Sequence, residues 1–293
     1  MKRILFFGAS ILFVVLFFNA CGSGNVKDGG EATPTKVPAI KTLAYTPIGE
    51  YPHDTASFTE GLEFYNGKLY ESGGDLGTSA LQYGDAKTGK IDKEHKLSPA
   101  LFGEGITILN GKLYQLTYQS HNVFVYDVKD ITKVIQQFTW PYEGWGMTNN
   151  GTDLIITTGG TDLYFVDPAT FKIKNTVHIH NDQGPVDSVN EIELVDGFIY
   201  GNVFANSDIY PTTTILKINP ANGEIVGTLD CSKLQAMADK VVGRPDVFNG
   251  IAYNKESKTF FVTGKRWNKI YEISLNWKLT SVSKNKKLSI GKN

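Results

Sequence analysis

Glu60, Glu104, Trp145, Asn190 and Asn249 each open a short apolar stretch, reading E-G-L, E-G-I, W-G-M, N-E-I and N-G-I. Their spacings are 44, 41, 45 and 59 residues. Carboxylates can move protons or hold a hard cation, and amides can hold the polar groups of a bound molecule. Taken singly, each position has a bland explanation. A glutamate can sit solvated in a channel, and a tryptophan can plug one. Five such residues at one register argue for more, because packing alone would select small apolar side chains there.

The elements around them repeat as well. A turn and a second apolar run follow each opening residue: N-G-K-L-Y at Asn66 and again at Asn110, N-G-T-D-L-I at Asn150, D-G-F-I-Y at Asp196 and S-K-T-F-F at Ser257. A third run ends in its own turn, as in D-P-A-T (Asp167–Thr170) and N-P-A-N-G (Asn219–Gly223). Asn-Gly and Asp-Gly suit type I′ hairpins, whose central residues need positive φ. A period in the forties with several short strands per unit is the pattern of a propeller blade. Five units predict an all-β, five-bladed β-propeller in a single domain, with the five opening residues in a ring about its axis. Glycine follows four of them (Gly61, Gly105, Gly146, Gly250), where inner strands crowd together.

The ends of the repeat array carry further expectations. Thr42–Glu50 reads as a lone strand that completes the last blade and closes the ring, hiding two sheet edges. The long 59-residue interval holds Cys231–Val242, where Leu234, Met237 and Val241 fall at helical spacing. Residues 1–20 read as a secretory leader: Lys2 and Arg3, an apolar run from Ile4 to Phe18, then Asn19-Ala20 before Cys21. The cysteine after that run resembles a bacterial lipobox, so Cys21 is the expected lipidation site. Residues 21–41 then form the anchor and a Gly-, Pro- and Lys-rich tether, and 42–293 the globular domain. The expected location is the cell envelope, lipid-anchored and facing the periplasm or the exterior.

Charge excludes some partners. With 29 basic and 30 acidic residues the chain is near neutral, and no basic cluster is interleaved with aromatics, so nucleic acid is not an expected partner. The only basic run, Lys284–Lys287, reads as a solvated end. Cys231 is the one cysteine besides Cys21, which leaves no intramolecular disulfide to expect. His178 and His180 alternate in a strand-like run, but a zinc site would need further ligands that the sequence does not offer. No metal or other cofactor is expected, and a monomer is.

The motifs then become specific. Y-P-H-D…F-T-E-G-L (Tyr51–Leu62), Y-E-S-G-G-D-L-G-T-S-A-L (Tyr70–Leu81), F-G-E-G-I (Phe102–Ile106), E-G-W-G-M-T (Glu143–Thr148), N-E-I-E (Asn190–Glu193) and N-G-I-A-Y…V-T-G-K-R-W (Asn249–Trp267) occur in this order. Over nearly all of residues 43–275 the chain resembles the plant and bacterial glutaminyl cyclases, a family of five-bladed propellers. The resemblance implies conversion of N-terminal glutamine of peptides or proteins to pyroglutamate, with loss of ammonia. Attack by the substrate's own α-amine needs no enzyme nucleophile, only proximity and proton transfer. By resemblance Glu104 is the general acid/base. Asn190 and Lys265 match positions that hold the γ-amide and offset charge on the tetrahedral oxygen. Phe58, Phe102 and Trp145 match positions lining the glutamine pocket.

Three positions depart from the plant pattern. Glu60 replaces a glutamine, and a second carboxylate there could bind the α-ammonium or raise the pKa of Glu104. Tyr118 and Phe204 stand where the family carries tryptophan, which keeps aromatic character but removes indole area and a donor. Two other functions fit parts of the sequence. One is a metal-dependent propeller hydrolase of the lactonase type, holding calcium on Glu60, Glu104, Asn190 and Asn249; the other is a non-catalytic, membrane-tethered binding propeller.

Overall fold

The structure, a computed structural model, describes residues 40–204, 209–240 and 245–276. The expected leader, the Cys21 anchor, most of the tether, Val241 and the Lys284–Lys287 run lie outside the described residues.

A first strand, β1 (Lys41–Pro52), precedes the repeat array. Blade one is β2 (Thr59–Tyr65), β3 (Lys68–Gly73), β4 (Ala80–Asp85) and β5 (Lys90–Lys96). Blade two is β6 (Gly103–Leu109), β7 (Lys112–Thr117), β8 (Asn122–Asp127) and β9 (Asp130–Thr139). Blade three comprises β10 (Met147–Asn149), β11 (Leu154–Ile156), β12 (Asp162–Val166) and β13 (Ile173–His178), followed by a minor hairpin of β14 (His180–Asn181) and β15 (Gly184–Pro185). Blade four is β16 (Val189–Val195), β17 (Phe198–Val203), β18 (Thr214–Ile218) and β19 (Ile225–Asp230). After helix α1 (Ser232–Ala238), blade five is built from β20 (Phe248–Asn254), β21 (Thr259–Gly264) and β22 (Lys269–Asn276), with β1 as its fourth strand.

Each blade is an antiparallel meander, and burial falls from its first strand to its fourth. Every residue of β6 is buried, whereas β5 is almost wholly exposed. The core lies between neighbouring blades. Tyr200, Ile215, Phe248, Phe260 and Trp267 pack between blades four and five, and Leu116, Val125, Trp140, Met147 and Ile156 between blades two and three. Inner strands come close enough that a Cβ on Gly61 would stand 2.7 Å from the Ile106 amide nitrogen.

Ring closure uses the expected strand and extends it. β1 pairs antiparallel with β22 from Ala44–Asn276 to Pro52–Lys269. It also pairs in parallel with β19 over Lys41–Leu43, joining blades four and five into one eight-stranded sheet. The Tyr51 hydroxyl adds a 2.8 Å bond to Glu272. Beyond β1, both ring nitrogens of His53 face acceptors: Nδ1 lies 2.7 Å from the Trp267 carbonyl and Nε2 3.0 Å from Glu71 Oε1.

Three local expectations are corrected. Asn66-Gly67, Asn110-Gly111 and Asp196-Gly197 do take positive φ at both residues, but Asn150 does not. Blade three carries two extra residues, Thr152 and Asp153, so its loop is four residues long and Asn150 Oδ1 accepts from the Thr152 and Asp153 amides instead. In α1 the buried pair is Leu234 and Ala238, four apart on one face, while Met237 is exposed. His178 and His180 do not share a strand. His178 ends β13, where its ring meets Asp162 at 2.5 Å, and His180 begins the separate hairpin.

Candidate active site

The ring residues enter at the starts of the innermost strands. Glu60, Glu104, Asn190 and Asn249 are each the second residue of β2, β6, β16 and β20, while Trp145 sits two residues ahead of β10. At this end of the channel lies a cavity of about 210 Å³ lined by Phe58, Glu60, Phe102, Glu104, Tyr118, Trp145, Asn190, Phe204 and Lys265. Every side chain expected for catalysis or substrate contact therefore faces one space. Asn249 stands just behind it, donating to Glu60 Oε2 at 3.2 Å and to the Thr59 carbonyl at 2.9 Å.

The floor is polar and buried. Glu60, Glu104, Asn190 and Lys265 are all at most 5% exposed. Lys265 Nζ lies 2.8 Å from Glu60 Oε1. The same ammonium sits 4.6 Å from the Phe58 ring centroid and 4.8 Å from that of Phe204, within cation–π range of both. With one oxygen on Lys265 and the other on Asn249, Glu60 is already engaged. Glu104 differs: its Oε2 is buried without a partner, as is Asn190 Oδ1.

Electrostatics follow from this layout. Burial pushes the Glu60 carboxyl up to about 7 against the pull of Lys265, with Asp75 and Asp246 adding to the rise. Burial also raises Glu104 well above the carboxylate range; the Glu60 charge raises it further, Lys265 opposes, and Glu143 adds a smaller push. Desolvation is the larger cause of the rise and the like charge of Glu60 the next.

The walls are aromatic. Phe58 meets Phe102 edge-on at 6.0 Å, Phe102 meets Tyr118 at 5.8 Å, and Trp145 meets Phe204 edge-on at 5.4 Å. Trp145 Nε1 donates to Glu143 Oε2 at 3.2 Å, and its ring rests on Gly159 (φ +75°), where any Cβ would collide with the indole. Tyr118 and Phe204 are half-buried cavity walls rather than members of the interblade core.

A family model described as glutamine cyclotransferase matches residues 23–275. The chain belongs to the glutamine cyclotransferase family. A glutaminyl-peptide cyclotransferase of Arabidopsis thaliana is 34% identical over 230 residues, covering 78% of this chain and 70% of the relative. The glutaminyl cyclase of Myxococcus xanthus, a solved structure, superposes with a TM-score of 0.73 at 30% identity, over 81% of this chain and 98% of that one.

Two acidic residues of this cyclotransferase chain sit inside a quoted motif yet carry no assigned role in the sequence. Glu191 Oε2 accepts from the Ile251 amide at 2.8 Å and its Oε1 from the Leu62 amide at 3.3 Å. Glu193 Oε1 accepts from the Tyr253 amide at 3.2 Å. They tie blade four to blades one and five deeper in the channel. Their alternation with Asn190 and Ile192 on β16 was the available signal. Arg266, next to Lys265, was also missed; it bonds Asp75, approaches Asp246 at 3.7 Å and stacks 4.7 Å from the Phe58 ring.

Proposed function

We infer that this chain is a glutaminyl-peptide cyclotransferase, closing the N-terminal glutamine of peptides or proteins into pyroglutamate with release of ammonia. The observation that carries the reading is the convergence of Glu104, Asn190, Lys265 and five aromatic rings on one cavity in a chain of this family. Glutamine supplies what the cavity lacks. Its γ-amide N–H suits the unpartnered Asn190 oxygen, and its methylenes suit the rings.

The chemistry balances with one proton-carrying group. The substrate brings its α-ammonium to ionised Glu104, or its free amine to protonated Glu104; both give a neutral amine beside a carboxylic acid. The α-nitrogen attacks the γ-carbonyl carbon, forming the new C–N bond. Negative charge gathering on the oxygen faces Lys265 and Asn190. Glu104 passes its proton to the amide nitrogen, the old C–N bond breaks, and ammonia leaves. The ring nitrogen then returns a proton to Glu104. The raised basicity of Glu104 serves the acceptor half of this cycle, and its burial keeps the proton from solvent. Glu60 acts through Lys265, which it positions.

Purified protein incubated with Gln-initiated peptides should release ammonia, and turnover should survive strong chelators. A dependence on added zinc would refute the side-chain mechanism.

The reading extends to the chain's placement. We propose a monomeric lipoprotein, anchored through Cys21 in the cell envelope, its only membrane contact being the lipid. The Lys2-Arg3 start, the apolar run and the cysteine that follows support it. Replacing Cys21 with Ser should release the mature protein from membranes; retention there would refute the anchor.

A further inference from the structure

Two buried side chains that the mechanism does not use lie behind the reaction cavity, at the seam between blades one and five. His53 and Glu71 have side chains 4% and 6% exposed and meet at 3.0 Å. The second ring nitrogen of His53 faces the Trp267 carbonyl at 2.7 Å, so the ring donates twice and is held as an imidazolium. Burial opposes that charge, but Glu71 outweighs it and leaves the ring's pKa raised. Glu71 gathers further donors: Ser57 Oγ and Thr59 Oγ1 reach its Oε1 at 2.5 and 2.7 Å, and Gln82 Nε2 reaches its Oε2 at 2.9 Å.

This network grips both sides of the Glu60–Lys265 contact. On the blade-one side, Ser57 and Thr59 point at one carboxylate. In an extended chain Phe58 and Glu60 must then point the opposite way, and both line the reaction cavity. On the blade-five side, Lys265 rides on the tight turn from Gly264 to Trp267, closed by the Trp267 amide on the Gly264 carbonyl at 3.1 Å. Arg266 takes φ +58° in that turn, a left-handed conformation that persists in a non-glycine residue only where its surroundings hold it. The holding contacts come from the His53 segment. His53 donates from its ring to the Trp267 carbonyl and from its amide to the Asn268 carbonyl at 3.0 Å, while the Arg266 amide donates to the Ser57 carbonyl at 2.8 Å.

We propose that His53 and Glu71 are positioning residues for the cyclisation, His53 setting Lys265 through the Trp267 carbonyl and Glu71 setting Phe58 through Ser57 and Thr59. The inference rests on the cyclotransferase reading and deepens it. The two arms separate kinetically. Lys265 faces charge that develops only in the transition state, so loosening its turn lowers kcat, by roughly 10- to 100-fold for a displacement approaching 1 Å. Phe58 meets the glutamine side chain in the bound state as well, so loosening it raises KM.

The test measures ammonia release from a Gln-initiated tripeptide by the mature protein and by His53→Gln, His53→Asn and Ser57→Ala variants, with a thermal melt of each sample. Glutamine carries an amide nitrogen where Nε2 stands and keeps the donor to Glu71; asparagine carries one where Nδ1 stands and keeps the donor to Trp267. His53→Gln should therefore lose kcat, and His53→Asn should retain most of it. Ser57→Ala should raise KM with kcat close to that of the parent. A merely structural role would lower Tm in the two His53 variants without separating their kcat values. Equal kcat in those two variants, or an unchanged KM in Ser57→Ala, would overturn the positioning role and leave the cyclotransferase reading standing. Should the His53 variants fail to fold, Ser57→Ala, which keeps the ion pair and loses one hydroxyl, decides by its KM. A parent protein that releases no ammonia from any Gln-peptide would overturn both readings.

Discussion

Replacing Glu60 with glutamine removes a carboxylate bonded to a buried ammonium. Lys265 and Glu60 lie 2.8 Å apart with side chains 4% and 2% exposed. At an effective dielectric near 20, their attraction is about 6 kcal/mol. Each ion lost several kcal/mol of hydration to reach this position, so the pair as a whole stabilises the fold only slightly. Breaking it from one side is different. Glu60→Gln leaves the Lys265 charge buried beside an amide and should lower stability by about 3 kcal/mol. Lys265→Met should lose less, because burial has already pushed Glu60 up to about 7 and the carboxyl can take up a proton. Combining the two substitutions removes both charges and should be far less harmful than the single losses added together. Urea unfolding of all four proteins at pH 7.5 gives the coupling directly, expected at about 2–3 kcal/mol. Strict additivity, within about 0.5 kcal/mol, would refute the argument that Glu60 holds Lys265 in place. The same Glu60→Gln variant should shift the Glu104 limb of the kcat/KM profile to lower pH, since one source of its raised pKa is gone.

Glu104→Gln should fold normally and lose on the order of 10²–10⁴ in kcat, measured by ammonia release with a thermal melt as control; near-normal kcat would remove its acid/base role. Phe204→Trp and Tyr118→Trp should shift KM for Gln-peptides while hardly changing Tm, because both rings border open space; a clear fall in Tm without a kinetic change would place them in packed core, where overpacking costs roughly 1–3 kcal/mol. Stability should decline as pH rises from 5 to 8. Glu60 and Glu63, both raised from 4.5 to about 7 chiefly by burial, hold protons in the folded state that the unfolded chain has released, so their contribution is complete below 4.5 and lost through 7. Burial alone would lower His53, but Glu71 outweighs it and raises the ring's pKa, so that stabilisation also fades above 6.5. Urea midpoints that stay flat or climb over this range would contradict the sign, which predicts up to about 1.4 kcal/mol per pH unit for each carboxylate.

The blade count, the closing strand and the ring were legible because they depend on local signals: Asn-Gly turns, strand alternation and a recurring register. Family motifs supplied Lys265, Phe58 and the two departures at Tyr118 and Phe204, none of which opens a repeat. What sequence could not show was pairing across blades. Nothing in E-G-L reveals that Lys265, from the far end of the chain, turns toward Glu60. The roles of Glu191 and Glu193 were hidden for the same reason, since their partners are backbone amides of other blades. The Asn150 loop misled through length: two extra residues lift the constraint that forces a tight primed turn. Met237 fits a helical spacing, but a seven-residue helix has one narrow buried face, and Leu234 with Ala238 fills it.

The closing blade gives the molecule an order of assembly. Its outer strand is the first to be synthesised and its other three are the last, and Tyr51 finds Glu272 across 221 residues. Four blades can form as the chain lengthens, each from neighbours in sequence, but the ring remains an open arc until the final strands exist. Loop closure of that span is paid late and makes the last step slow. Shortening β22 should therefore leave an unsealed arc with two sticky sheet edges rather than a smaller propeller.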